Sequence, residues 1–240
     1  MNPFGAGFIF IANHGHLLLD KTGTYLVLSF EAIAISLVIG VPLGLVLGHL
    51  HKGSFLAINI SNVGRALPSL AVLAILLPVF GIGRLNVVIA LVILGAPPIL
   101  TNTYTAIDQV DADVVEAAKG MGMRPREVIT RVELPLALPV TFAGIRTSAV
   151  FVIATATLAG FFGGGGLGDI IAEESNYKLA GVLGASYLII VLAILTQIVF
   201  KALEMAVTPR GLRKRGLRKP RSRTPHPGLD PTLALVDSAA

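Results

Sequence analysis

Long apolar runs joined by short polar stretches dominate this chain. Five of them, residues 26–50, 55–80, 85–107, 139–159 and 180–206, are long enough to cross a bilayer as helices, because a hydrocarbon core of about 30 Å takes roughly 20 helical residues. The runs are continuous rather than alternating with period two, which argues against a β-barrel. The expected fold is all-α: a polytopic integral membrane protein with about five transmembrane helices. Residues 1–23 read as an external amphipathic lead-in and 24–207 as the membrane domain, with a polar loop at about 108–138. Residues 208–240 form a tail rich in Pro, Arg and Lys without apolar periodicity, expected to be disordered.

Composition agrees with the pattern. Only 14% of residues are charged and mean hydropathy is +0.79, against about 25% charged in an ordinary soluble domain. The net charge of +5 does not point to nucleic acid, because eight of the 19 Lys and Arg lie between Arg210 and Arg223, past the last apolar run. There is no cysteine, so disulfides and thiolate metal sites are excluded. The apolar run 4–12 lacks a basic lead and is too short to span, so no cleaved signal peptide is expected. Lys52, the cluster Lys119, Arg124, Arg126 and Arg131, and the tail from Lys201 all fall on one side, whereas Lys21, Arg84 and Lys178 fall on the other. The positive-inside rule then places the N-terminus outside and both the polar loop and the C-terminus in the cytoplasm.

That loop carries Glu116-Ala117-Ala118, then Gly122 after three residues, then Val132-Glu133-Leu134-Pro135 after nine more. The pattern resembles the cytoplasmic loop of permease subunits of bacterial ABC-type importers, with Val132 in place of isoleucine. Locally, 114–119 forms helix, and glycine at 120 and 122 permits a sharp turn. Pro125 suits the first turn of a second helix reaching about Val132. Ala117 and Ala118 leave a small-residue surface for close approach, and Leu134-Pro135 ends the unit. An ordinary interfacial helical hairpin is the plainer reading. The resemblance implies instead a coupling loop on which a cytoplasmic ABC ATPase docks through Glu116, Ala117, Ala118, Gly122, Val132, Leu134 and Pro135. No G-x-x-x-x-G-K-[ST] occurs, so that ATPase is a separate chain.

Inside the membrane, Asn59, Asn62, Arg65 and Ser69 recur at spacings of three, three and four and are expected to share one face of the second span. An arginine at a helix centre costs about 2.5–3.5 kcal/mol, so such a face points to a translocation path, unless Arg65 snorkels to the interface. Arg146 reads as a packing partner or interfacial anchor. Glu31 reads as structural, and Pro97-Pro98 as a kink or break. The histidine pairs His14/His16 and His49/His51 have i, i+2 spacing, which does not bring them together on a helix, so no metal site is expected.

Arg65-Ala66-Leu67-Pro68-Ser69, Ala143-Gly144-Ile145-Arg146-Thr147 and the segment 161–169 extend the resemblance over roughly residues 20–207, most nearly to osmoprotectant permeases. It implies a bacterial inner-membrane, multi-pass, non-enzymatic subunit with no cofactor, importing glycine betaine, carnitine, choline or proline. Its partners would be the ATPase, a second permease copy or paralogue, an extracytoplasmic binding protein and membrane lipid. With no Trp and four Tyr, the chain offers no obvious aromatic cage for a quaternary ammonium. One alternative is a permease for an amino acid such as methionine. Another is an ion-driven secondary transporter, which would call for inverted repeats and central carboxylates.

Overall fold

The computed structural model describes residues 3–50, 59, 64 and 66–208, and among these it contains only helices and the turns between them. A short helix α1 (Pro3–Asn13) precedes the long α2 (Gly15–His49). Then come α3 (Ser69–Phe80) and α4 (Arg84–Asp108). The polar loop holds α5 (Ala112–Gly120) and α6 (Pro125–Val128), followed by one π-helical turn (Ile129–Glu133). α7 (Leu134–Ala156) continues into a 3-10 turn (Thr157–Phe162), then α8 (Leu167–Ala172) and α9 (Glu174–Val207), which is interrupted at Lys178.

Four described helical stretches are long and apolar enough to cross a membrane: Gly15–His49, Arg84–Asp108, Pro125–Phe162 and Glu174–Val207. The expected second span, 55–80, is described only in part. Its end, α3, is 12 residues long. The chain is not helical at Leu67 and Pro68, where Pro68 takes an extended ψ of 123°, so 55–80 is not one continuous helix. The cause is local, since proline pushes the residue before it out of the helical region. Two other expectations shift. Leu134-Pro135 does not end the loop unit, because the proline sits in the first turn of α7, where its missing N–H costs least. The Pro97-Pro98 pair leaves α4 helical from end to end.

In lipid, apolar surface gains little by leaving one hydrocarbon for another, so helices associate through close packing and interhelical hydrogen bonds. Gly40, Gly44 and Gly48 form a small-residue stripe on α2, and α4 lies directly on it: a Cβ at Gly44 would stand 2.6 Å from Thr103 Cβ and 2.8 Å from the Leu100 carbonyl oxygen. The α7 helix joins at Gly95, whose carbonyl accepts a 2.6 Å hydrogen bond from Ser148 Oγ. Tyr25, Leu28, Leu91, Leu94, Val152 and Leu167 fill the centre of the bundle, and the buried Tyr25 hydroxyl donates to the Ile153 carbonyl. By contrast Phe30 and Val38 on α2, with Ile190, Ile194 and Ile198 on α9, are exposed. A water-soluble surface would not carry that much apolar area, whereas a lipid-facing one does.

Candidate functional site

The polar loop is built by local chemistry. Asp111 caps α5, its carboxylate accepting from the Asp113 N–H at 3.0 Å. Asp113 in the first turn and Lys119 in the last complement the helix dipole. The chain then reverses at Gly122, whose φ of +83° is left-handed and disfavoured for any residue with a Cβ. Pro125 opens α6, and Glu127 reaches back to accept from the Arg124 N–H at 3.0 Å. The π turn carries the chain into α7 with no break.

Sequence-predicted residues take different places in this hairpin. Glu116, Ala117 and Gly122 are exposed, and Val132, Leu134 and Pro135 are half-buried. Ala118 is buried, so the expected two-alanine surface is corrected to one: Ala117 faces out, while Ala118 packs with Val115 and Val128 against Val110, Met123 and Val132. The reason is helical geometry, since consecutive residues on α5 point about 100° apart and only one can serve either face. Met121, 72% exposed at the tip, adds an apolar contact that the motif did not signal. Glu133 was also missed. It is a buried carboxylate bound to His49 Nδ1 at 2.9 Å, and 84 positions of sequence hide that pairing.

Of the proposed path residues, Asn62 and Arg65 lie outside the described residues, as does the tail after Thr208. Asn59 is exposed at a helical position, and Ser69 opens α3 beyond the break at Pro68. No continuous helical face therefore joins the two. The polar positions that the fold does bring together are Asn102 on α4 and Thr147 on α7. They line a cavity of about 240 Å³ with Pro97, Pro98, Phe151 and Gly64. A Cβ on Gly144 would stand 2.5 Å from Asn102 Cβ, so the two helices touch there. Asn102 donates to the Pro98 carbonyl at 2.8 Å and Thr147 to the Ala143 carbonyl at 2.9 Å.

Three ion pairs join elements of the bundle. Arg146 Nη1 stands 3.4 Å from Glu204 Oε2, an ion pair between α7 and α9 in which both side chains are about one-quarter exposed. Arg146 is thus a packing partner, as expected. Arg84 clasps Glu31 at 2.6 Å on an exposed face. Lys21 binds Asp169 at 2.5 Å, tying α2 to the glycine segment. That segment is packed rather than loose: Gly166 lies against the Tyr25 backbone, and the Gly83 N–H bonds the Phe162 carbonyl at 2.8 Å. Among the described residues no cluster of three metal-ligating side chains occurs.

A membrane bundle with an exposed, capped helical hairpin between two spans is the layout of an importer permease, and the comparisons with known proteins agree. Residues 40–210 match the model of the binding-protein-dependent transport system inner membrane component family. The chain belongs to that family. This permease is 42% identical over 204 residues to the glycine betaine/carnitine/choline transport system permease protein of Bacillus subtilis, covering 85% of this chain and 94% of the relative. It is 38% identical over 206 residues to a carnitine transport permease protein of Listeria monocytogenes, covering 85% and 94%. Among solved structures, an inward-facing methionine ABC transporter matches with a TM-score of 0.71 at 25% identity, over 80% of this chain and 97% of that one. An amino acid ABC transporter with histidines matches with a TM-score of 0.65 at 18% identity, over 83% and 98%, which speaks to the fold alone. The permease is a membrane subunit of an ATP-driven importer, a class that works with an ATPase and a substrate-binding protein.

Proposed function

We propose that this permease carries osmoprotectants of the glycine betaine, carnitine and choline type across the inner membrane, driven by a separate ATPase that docks on the α5–α6 hairpin. The observation that carries the cargo is the 42% identity, sustained over 204 residues, to a permease whose own cargo is glycine betaine, carnitine and choline. The coupling role rests on Glu116, Ala117 and Met121 standing exposed on a hairpin whose inner face is already filled. The permease pairs with a second copy or a paralogue, since few spans are left to enclose a path alone. The pair shares a path walled in part by the half-buried Asn102 and the exposed Thr147, with Asn59, Asn62 and Arg65 contributing from the segment before α3 and Ser69 from its first position. Its N-terminus lies outside and its C-terminus in the cytoplasm, with basic residues concentrated on the inner side. Substrate selection falls to an extracytoplasmic binding protein, because this chain has no Trp and four Tyr with which to cage a quaternary ammonium.

Uptake of labelled glycine betaine, choline, carnitine and methionine in a host lacking its own osmoprotectant importers tests the cargo. Uptake of the quaternary ammonium compounds, dependent on a co-expressed extracytoplasmic binding protein, is the expected result. Uptake of methionine alone would remove the cargo assignment and leave the family intact.

A further inference from the structure

Glu133 is a buried carboxylate to which docking gives no role. Its side chain is 3% exposed, and His49 Nδ1 lies 2.9 Å from both of its oxygens. The partners belong to different parts of the molecule: Glu133 closes the π turn behind α6, and His49 is the last residue of α2. The hairpin otherwise holds itself together, with a small apolar core of Val115, Ala118 and Val128 distinct from the core of the spanning helices. The α2 helix, in turn, is seated on α4 through Gly40, Gly44 and Gly48. A physical line therefore runs from the exposed face of α5, through the hairpin core, across the Glu133–His49 bond and up α2 into the bundle. Glu133 also lines a cavity of about 340 Å³ with Asp108, Glu116 and Lys119, between the hairpin and the end of α4. The hairpin thus meets α2 through this bond and leaves open space beside the end of α4. A π turn inside a helical stretch is itself a frequent marker of function.

We propose that the Glu133–His49 bond transmits displacement of the hairpin to α2, making Glu133 a positioning residue for coupled transport rather than a docking residue. The proposal rests on the coupling reading given above. Burial keeps Glu133 from touching a partner protein. A buried carboxylate is tolerated only while hydrogen-bonded, so the bond resists separation when the hairpin moves. With both oxygens on one ring nitrogen, the contact fixes position as well as distance.

The complete transporter, with ATPase and binding protein, reconstituted into liposomes, reports ATP hydrolysis and glycine betaine uptake together. For Glu133→Gln and His49→Ala the ATPase is expected to co-purify as in wild type, while ATP consumed per cargo imported rises about tenfold, within the range for mutations that weaken coupling. His49→Gln, which keeps a donor near the carboxylate, recovers part of the uptake. An unchanged ratio in both Glu133→Gln and His49→Ala overturns the proposal. So does loss of assembly, or equal loss of both activities, in Glu133→Gln and His49→Gln, either of which makes the pair purely structural. Failure of the ATPase to co-purify with wild type would instead sink the coupling reading beneath it.

Discussion

Gly160 and Gly168 face each other with no room for a methyl group: a Cβ on Gly160 would stand 2.1 Å from the Gly168 carbonyl carbon. Backbone cannot retreat as a side chain does, so the 3-10 turn and α8 must separate. Gly160→Ala is expected to destabilise the permease by about 3 kcal/mol, the upper part of the usual range for overpacking. A thermal shift in detergent, read by size-exclusion fluorescence, checks this. Wild-type stability would mean that the two turns do not touch.

The α2–α4 seam invites a paired test. Gly44→Leu places four carbons where Thr103 and the Leu100 carbonyl already stand, and it is expected to cut the yield of monodisperse protein sharply. Gly23→Ala, on the same helix with open space around it, should be neutral or stabilising by up to about 1 kcal/mol, the helix-propensity gap between the two residues. Equal behaviour of the two variants would remove the seam.

The ion pair Arg146–Glu204 should be worth more broken than absent. Removing one partner strands a charge in a low-dielectric setting, so Arg146→Leu and Glu204→Leu are each expected to cost about 2 kcal/mol, with the double variant close to wild type. A double-mutant cycle on melting temperature measures this. Additive losses would show that the two side chains do not interact.

Much of this was legible in the sequence, and the rest failed for identifiable reasons. Run lengths set α2, α4, α7 and α9, because a bilayer demands length and apolarity regardless of tertiary context. The hairpin also followed from local signals, since Gly122 and Pro125 each act within a few residues of themselves, although the cap at Asp111, which starts α5 at Ala112, was not read. Ala118 was misplaced because spacing fixes a helix but not which of its faces finds a neighbour. The His49–Glu133 and Arg146–Glu204 pairs are 84 and 58 residues apart, and no local pattern announces such a meeting. Ser69 was drawn onto the face of Asn59 because the spacing argument passed through Pro68 without giving it weight.

Those reassigned wall positions can be read chemically, since the native chain has no cysteine. Single cysteines at 102 and 147, beside the 240 Å³ cavity, are expected to react with a membrane-impermeant maleimide, as are those at 59, 62, 65 and 69. Cysteines at 190 and 194, on the apolar outer face of α9, should stay unlabelled. The reverse pattern would turn the polar wall toward lipid.

The central claim, that the α5–α6 hairpin is where ATP hydrolysis meets transport, is tested most directly by Gly122→Val and Glu116→Lys. No atom lies within 4 Å of a Cβ at Gly122, so valine there acts through the backbone alone: its left-handed φ costs roughly 1–2 kcal/mol and reshapes the exposed turn. Glu116→Lys reverses the charge of an exposed side chain without touching the core. The decisive measurement is recovery of the ATPase with each membrane-inserted variant, together with glycine betaine uptake. The account predicts normal insertion, sharply reduced ATPase recovery and lost uptake in both. Undiminished recovery with normal uptake from both variants would contradict it.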